Sequence, residues 1–294
     1  MLASRRWLWF VAGLATLALV AWWSRHERNG VATTPAAVSI PAMAAPMPAA
    51  ESAVRGGDPA AELRRLRRPG ARPVGVVPLR SYDMPRGRAI DVVAALQPMA
   101  EAGDDEAAFY LFLKVEGCRY QLYRAGNDGN RPAPGIGDSV ESQLAARTPA
   151  ECHGLTADQY RDNVRWLEQA ADAGITMAQL AYAGNAEAVV GNSSQMLANP
   201  ERIIAYRRKA MHYLHQAAVN GSVEALMKLS DVYRYGVMAQ RDPVRAYAYY
   251  YAKDLVSPSA YGRQHLQAYA AHLEPSQLAT ATQQGQQIYE ACCR

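Results

Sequence analysis

The chain has 294 residues, half of them apolar and a fifth charged, which is enough for one or two domains with an ordinary core. Its net charge of +4 gives no ground for nucleic-acid binding, and the excess of Arg over Lys reads as compositional bias. In chain order, residues 1–6 form a basic flank carrying Arg5 and Arg6. Residues 7–23 follow without a charge or a proline. As a helix this run spans about 26 Å, close to a hydrocarbon core of about 30 Å. Trp7, Trp9 and Phe10 stand at one end and Trp22 and Trp23 at the other, as interfacial aromatics do. The run ends in Ala21-Trp22-Trp23-Ser24, a poor match to the small-residue pattern of a cleavage site. An uncleaved transmembrane anchor over 7–23 is therefore expected. Arg25 and Arg28 beyond it are partly offset by Glu27, so the positive-inside rule favours a cytoplasmic amino terminus. In a bacterium this makes a single-pass inner-membrane protein with its body in the periplasm.

Residues 24–87 read as a tether. Thr33 to Ala50 is Ala, Pro and Met with almost no charge, the composition of an extended, disordered linker. Arg64, Arg65, Arg67, Arg68 and Arg72 follow and are read as solvated side chains; the alternative is contact with anionic headgroups or an acidic partner. A short helix is expected over 62–68, ended by Pro69-Gly70. The apolar stretch 73–79 is expected to pack on the first repeat as an extended strand.

From 88 to 294 helical signals come in pairs, and a phrase repeats. Trp166-Leu167-Glu168-Gln169-Ala170-Ala171-Asp172-Ala173-Gly174 returns as Tyr213-Leu214-His215-Gln216-Ala217-Ala218-Val219-Asn220-Gly221. A fainter copy runs from Leu96 to Gly103, and the copies continue to Ala107, Ala178 and Ala225. A repeat of this kind decides the architecture before any single element does. Helices are expected over 88–102, 104–116, 158–173, 176–190, 200–219, 222–235, 244–255 and 259–273, with a last one from Pro275 toward Cys292. Asn199, before Pro200, is the expected cap of the third pair. The paired alanines let two helices approach closely, and the glycine supplies a turn that a Cβ would penalise. A Gly- and Pro-rich insertion, 117–157, separates the first two copies.

The blocks Leu-x-x-Ala-Ala-x-x-Gly-x-x-x-Ala, Leu229 to Gly236 and Asp242-Pro243-Val244-Arg245-Ala246-Tyr247 resemble Sel-one-like repeats, relatives of the tetratricopeptide repeat. The resemblance is strongest over 200–255. It implies an all-α fold, an α/α solenoid of about four stacked hairpins plus a carboxy-terminal helix, acting as an adaptor for other proteins and sharing no catalytic residues. The insertion departs from the family pattern.

Cys118 and Cys152 bracket the insertion. With the body exported, a disulfide between them is expected, in preference to a partial zinc set with His153. Cys292 and Cys293 are adjacent, and vicinal pairs are more often left partly free. The chain has no G-x-S-x-G, H-E-x-x-H, Walker or S-x-x-K motif, so no catalytic residue, cofactor or metal is expected. His212 and His215, three apart on one helix, find no third ligand locally and are read as ordinary repeat histidines. Tyrosines concentrate at 233, 235, 247 and 249–251. Arg234, Tyr235, Tyr249 and Tyr250 are the partner-binding candidates, with packing between hairpins as the competing account. The expected function is a membrane-tethered, non-enzymatic scaffold that binds another protein or a peptide. Binding of an envelope glycan or small ligand, and a cytoplasm-facing signalling adaptor, are the alternatives.

Overall fold

The computed structural model describes residues 57–67, 75, 77–126 and 149–294. The expected span 7–23, most of the tether and residues 127–148 lie outside them. Among the described residues no helix is long and apolar enough to cross a membrane. The helices are α1 (Pro59–Leu66), α2 (Ala89–Glu101), α3 (Asp105–Gly126), α4 (Ala157–Asp172), α5 (Thr176–Gly184), α6 (Ala186–Val190) and α7 (Ser193–Ala198). They continue as α8 (Pro200–Val219), α9 (Val223–Tyr235), α10 (Pro243–Val256), α11 (Ala260–Ala270) and α12 (Pro275–Cys292). A 3-10 turn, Pro149–Cys152, precedes α4. From α2 to α11 the helices pack on their chain neighbours, with α5 also meeting α8, and α12 packs back on α10 rather than on α11. The described body is a row of stacked helical hairpins.

The repeated phrase accounts for this packing. Leu167 and Leu214 are fully buried, as are Ala170, Ala171, Ala178, Ala217, Ala218 and Ala225. The glycine ending each copy sits at positive φ: 96° at Gly103, 91° at Gly174 and 83° at Gly221. The phrase also stitches one hairpin to the next through its glutamine. Gln169 Nε2 donates to the carbonyl of Ala100 at 3.0 Å. One repeat later the corresponding carbonyl is that of Ala171. It accepts from Gln179 Nε2 at 3.2 Å, and the same amide donates to Gln216 Oε1 at 2.9 Å. The last carbonyls of a helix have no partner within it; those of Ala100 and Ala171 accept from the turn amides of Gly103 and Gly174 and, in addition, from Gln169 of the next hairpin and Gln179 of the same hairpin.

Several helix boundaries differ from expectation; the short helix expected over 62–68 starts earlier, at Pro59, capped by Asp58, and ends at Leu66. The helix expected over 176–190 breaks at Asn185, whose side chain accepts from the Ala188 amide and donates to Glu116 Oε1 at 3.1 Å. Asn199 stands at the start of α8 but does not cap it: its amide donates back to the Gln195 carbonyl at 3.0 Å, so α7 claims the side chain. The helix expected to stop at 116 runs to Gly126, into the insertion.

Part of the expected tether belongs to the body. Helix α1 buries Pro59, Ala60 and Leu63 against α8 and α12. Farther on, the extended segment crosses the hairpin turns. The Val77 amide donates to the Gly221 carbonyl at 3.2 Å, in the third repeat rather than the first. Tyr82 then reaches the first hairpin, its ring edge-on to Phe109 at 4.9 Å. Arg80 pairs with Glu106 beside it. Leu63 and Tyr82 are both buried, which a reading based on Arg and Pro content overlooks.

Both pairs of cysteines are joined. Cys118 and Cys152 form a disulfide with Cα atoms 5.3 Å apart, tying α3 to the 3-10 turn. One helical turn earlier, buried Lys114 donates to the Gly87 carbonyl at 2.6 Å and pairs with Glu151 at 3.1 Å. Cys292 and Cys293, expected to be partly free, are bonded to each other. Cys293 has left helical geometry as the cap of α12, with φ −132° and ψ 1°, and both side chains are buried.

The turn glycines separate two physical effects. A Cβ at Gly174 would meet nothing within 4 Å, so Gly174→Ala carries only the left-handed backbone penalty, about 1–2 kcal/mol. A Cβ at Gly221 would stand 2.1 Å from the Gly75 carbonyl. Gly221→Ala should therefore cost clearly more in urea unfolding and should also speed amide exchange at Val77. Equal costs at the two sites would contradict the crossing of the extended segment over this turn.

Candidate functional site

Of the sequence candidates, Arg234 and Tyr235 stand at the end of α9, and Tyr249 and Tyr250 on opposite faces of α10. Tyr249 is fully buried and Tyr250 is 4 % exposed, so neither presents a free ring to a partner. Tyr249 points to the α1 side. Its hydroxyl lies 3.3 Å from His215 Nε2, and its ring stacks on Tyr233 at 5.7 Å. Arg245, itself buried, donates to the Tyr233 hydroxyl at 3.1 Å and to the Gly57 carbonyl. Glu62 of α1 completes the cluster, with Oε2 3.6 Å from His215 Nε2.

Tyr250 points the other way, into an aromatic ladder on α9, α10 and α11. His265 stacks on Tyr250 at 5.4 Å and lies 4.8 Å from Tyr261 and 5.7 Å from Tyr269. Arg234 lies over two rings, 4.6 Å from Tyr269 and 5.1 Å from Tyr235, and donates to the Tyr269 hydroxyl at 3.0 Å. The outermost rings, Tyr235 and Tyr261, are 63 % and 66 % exposed. The structure thus gathers Arg234, Tyr235 and Tyr250 and leaves Tyr249 out. His265, Tyr261 and Tyr269 complete the ladder; their spacing of four residues along α11 is a signal that the sequence carried. Large rings set on a rigid scaffold with a guanidinium beside them are well suited to contact with another protein.

A second concavity, about 550 Å³, opens beside the insertion's feet between α3, α4 and α6. Glu116, Arg119, Tyr160, Asn185 and Arg202 line it. Glu116 is held by Asn185 and, at 3.4 Å, by Arg119 Nε, so its carboxylate is already committed. His212 is exposed while His215 is buried, so the two histidines do not converge. Among the described residues no group of three His, Cys, Asp or Glu is placed to hold a metal ion.

No family model matches the chain, and no curated protein matches it. A solved structure described as a protective antigen present in uropathogenic Escherichia coli strains, displaying an SLR fold, is similar over 68 % of this chain, at 20 % identity and a TM-score of 0.38. The chain spans 40 % of that protein's length.

Burial sets the protonation of the α1 cluster. It is the main cause that holds His215 down to about 4, with Arg245 and His212 adding to it. Burial raises the Glu62 carboxyl, against the opposing pull of Arg245 and Arg65. A histidine lowered in the folded state binds its proton first in the unfolded chain. Its contribution to stability is present above the ordinary value of 6.5 and is lost as pH falls toward about 4. Full loss corresponds to an effect on the order of 3 kcal/mol. Raised Glu62 acts in the opposite sense. His215→Gln removes only the histidine part, so thermal melts between pH 6.5 and pH 4.5 should show a shallower decline than in the parent. An unchanged decline would exclude a buried neutral His215.

Proposed function

We propose that the protein is a Sel-one-like repeat scaffold, tethered to the inner membrane through residues 7–23, whose periplasmic body binds a protein or peptide and carries out no chemistry. The supporting observation is the exposed pair Tyr235 and Tyr261, held at the edge of a ladder fixed by His265, Tyr269 and Arg234. Exposed aromatics supported by a buried aromatic layer lose little conformational freedom on binding, so most of their contact area counts toward affinity. The anchor rests on the apolar run and its tryptophans, and the export on the positive-inside pattern and the bracketing cysteines.

A photocrosslinking amino acid placed at Tyr261 should give a discrete protein adduct in cells. Tyr235→Ala should weaken that adduct about tenfold or more, as loss of a central aromatic does, while leaving the circular dichroism unchanged. Adducts only with peptidoglycan fragments would replace the protein-binding reading by a glycan-binding one. Topology is tested separately. Alkaline phosphatase fused after Arg294 should be active; an inactive fusion of normal abundance would place the body in the cytoplasm.

A further inference from the structure

Helix α1 is bound to the body in the manner of a ligand. It follows the expected anchor and tether in sequence. Yet Gly57, at its entry, accepts a hydrogen bond from Arg245, 188 residues further along the chain. Asp58 caps the helix, accepting from the Ala60 amide at 3.0 Å, and Pro59 fills the first position. Leu63 is its one large buried apolar side chain. An eight-residue helix is too short to persist alone, so α1 forms as it docks.

Its polar contacts are incomplete. Glu62 Oε2 is buried with no hydrogen-bond partner among the described residues, and so are Arg67 Nε and Nη2. The groups facing Glu62 are His215 from α8 and Arg245 from α10, with Arg65 and Asp58 on its own segment. Groups left in this state regain hydrogen bonds to water when α1 leaves, which weakens its hold. The seat, by contrast, is largely self-supporting: Tyr233, Tyr249, His215 and Arg245 are tied to one another without α1.

We propose that the surface formed by α8, α10 and α12 under α1 is a binding site for a short amphipathic helix, with residues 57–67 as its exchangeable resident. The occupant it selects opens with Asp-Pro and places a Glu and a Leu at the third and fourth positions after that Pro. The Pro-capped start meets Arg245, the carboxylate meets His215, and the leucine fills the apolar floor. A partner helix of this pattern would take the seat when α1 leaves it. The inference does not rest on the Tyr235–Tyr261 face.

The test uses the full-length chain in mild detergent and a fluorescent peptide with the sequence of residues 55–68. In the Leu63→Asp protein α1 should undock, and the peptide should bind at least tenfold more tightly than to the parent by fluorescence anisotropy. A peptide carrying the same Leu63→Asp change should not bind, and Tyr235→Ala in the receptor should leave binding unchanged. Absence of peptide binding to folded Leu63→Asp protein would overturn the proposal. Should that variant fail to fold, hydrogen exchange in the parent decides: amides of Glu62 to Leu66 should exchange at least 100-fold faster than those of Leu214 to Ala218. Comparable protection would make α1 a fixed part of the core and overturn the proposal equally.

Discussion

The structure depends on how closely two helices of a hairpin can approach beneath a glycine turn. Alanines at 170, 171 and 178, and again at 217, 218 and 225, leave no bulky side chain between the backbones. Two consequences follow from that nearness. Backbone carbonyls at the hairpin ends come within reach of glutamine side chains: Gln169 of the next repeat takes up that of Ala100, and Gln179 takes up that of Ala171 in its own hairpin and passes the link to Gln216 of the next. The turns also form a low surface that another stretch of chain can cross, and the segment around Gly75 and Val77 does so at Gly221. A larger residue at any of these positions would disturb contacts between repeats as well as within one.

The hairpins were legible in the sequence because their signals are local. Asp242-Pro243 and Ser222 start α10 and α9 through bonds spanning three residues, and the Ala-Ala-x-x-Gly phrase ends α4 and α8. What escaped was carried by distant contacts. Arg245 looks like any helical arginine until Gly57 and Tyr233 surround it. Leu63 lies in a run whose arginines mark it as solvated, yet it is fully buried. The candidate surface was half legible for a geometrical reason. Adjacent residues on a helix point about 100° apart, so a cluster of neighbouring tyrosines cannot share a face. Tyr249 went to the α1 side and Tyr250 to the ladder, while Tyr261, His265 and Tyr269, spaced four apart, line up on one side of α11.

Helix α10 consequently stands between two surfaces of different character. On one side buried polar groups accept a helix from the chain itself. On the other, stacked rings lead outward to exposed Tyr235 and Tyr261. The two share a wall only one helix thick, and Tyr233 and Arg234 are likewise neighbours that serve opposite sides. The same close packing makes that wall stiff: Ala248 is fully buried, and a Cβ at Gly285 of α12 would meet its carbonyl at 2.8 Å.

The bridge between Cys118 and Cys152 has a consequence for evolution. The chain between them departs from and returns to the body at Cα positions 5.3 Å apart, with Lys114 and Glu151 closing the same junction. Closing a longer or shorter stretch over a fixed gap changes the free energy only logarithmically with its length. Substitution or lengthening within that stretch, provided that Arg119 and Glu151 at its ends keep their contacts, therefore leaves the neighbouring hairpins in register. Descendants of this chain can vary the middle of one segment while inheriting the scaffold unaltered, so diversity is expected to collect there and not in the repeats that carry it.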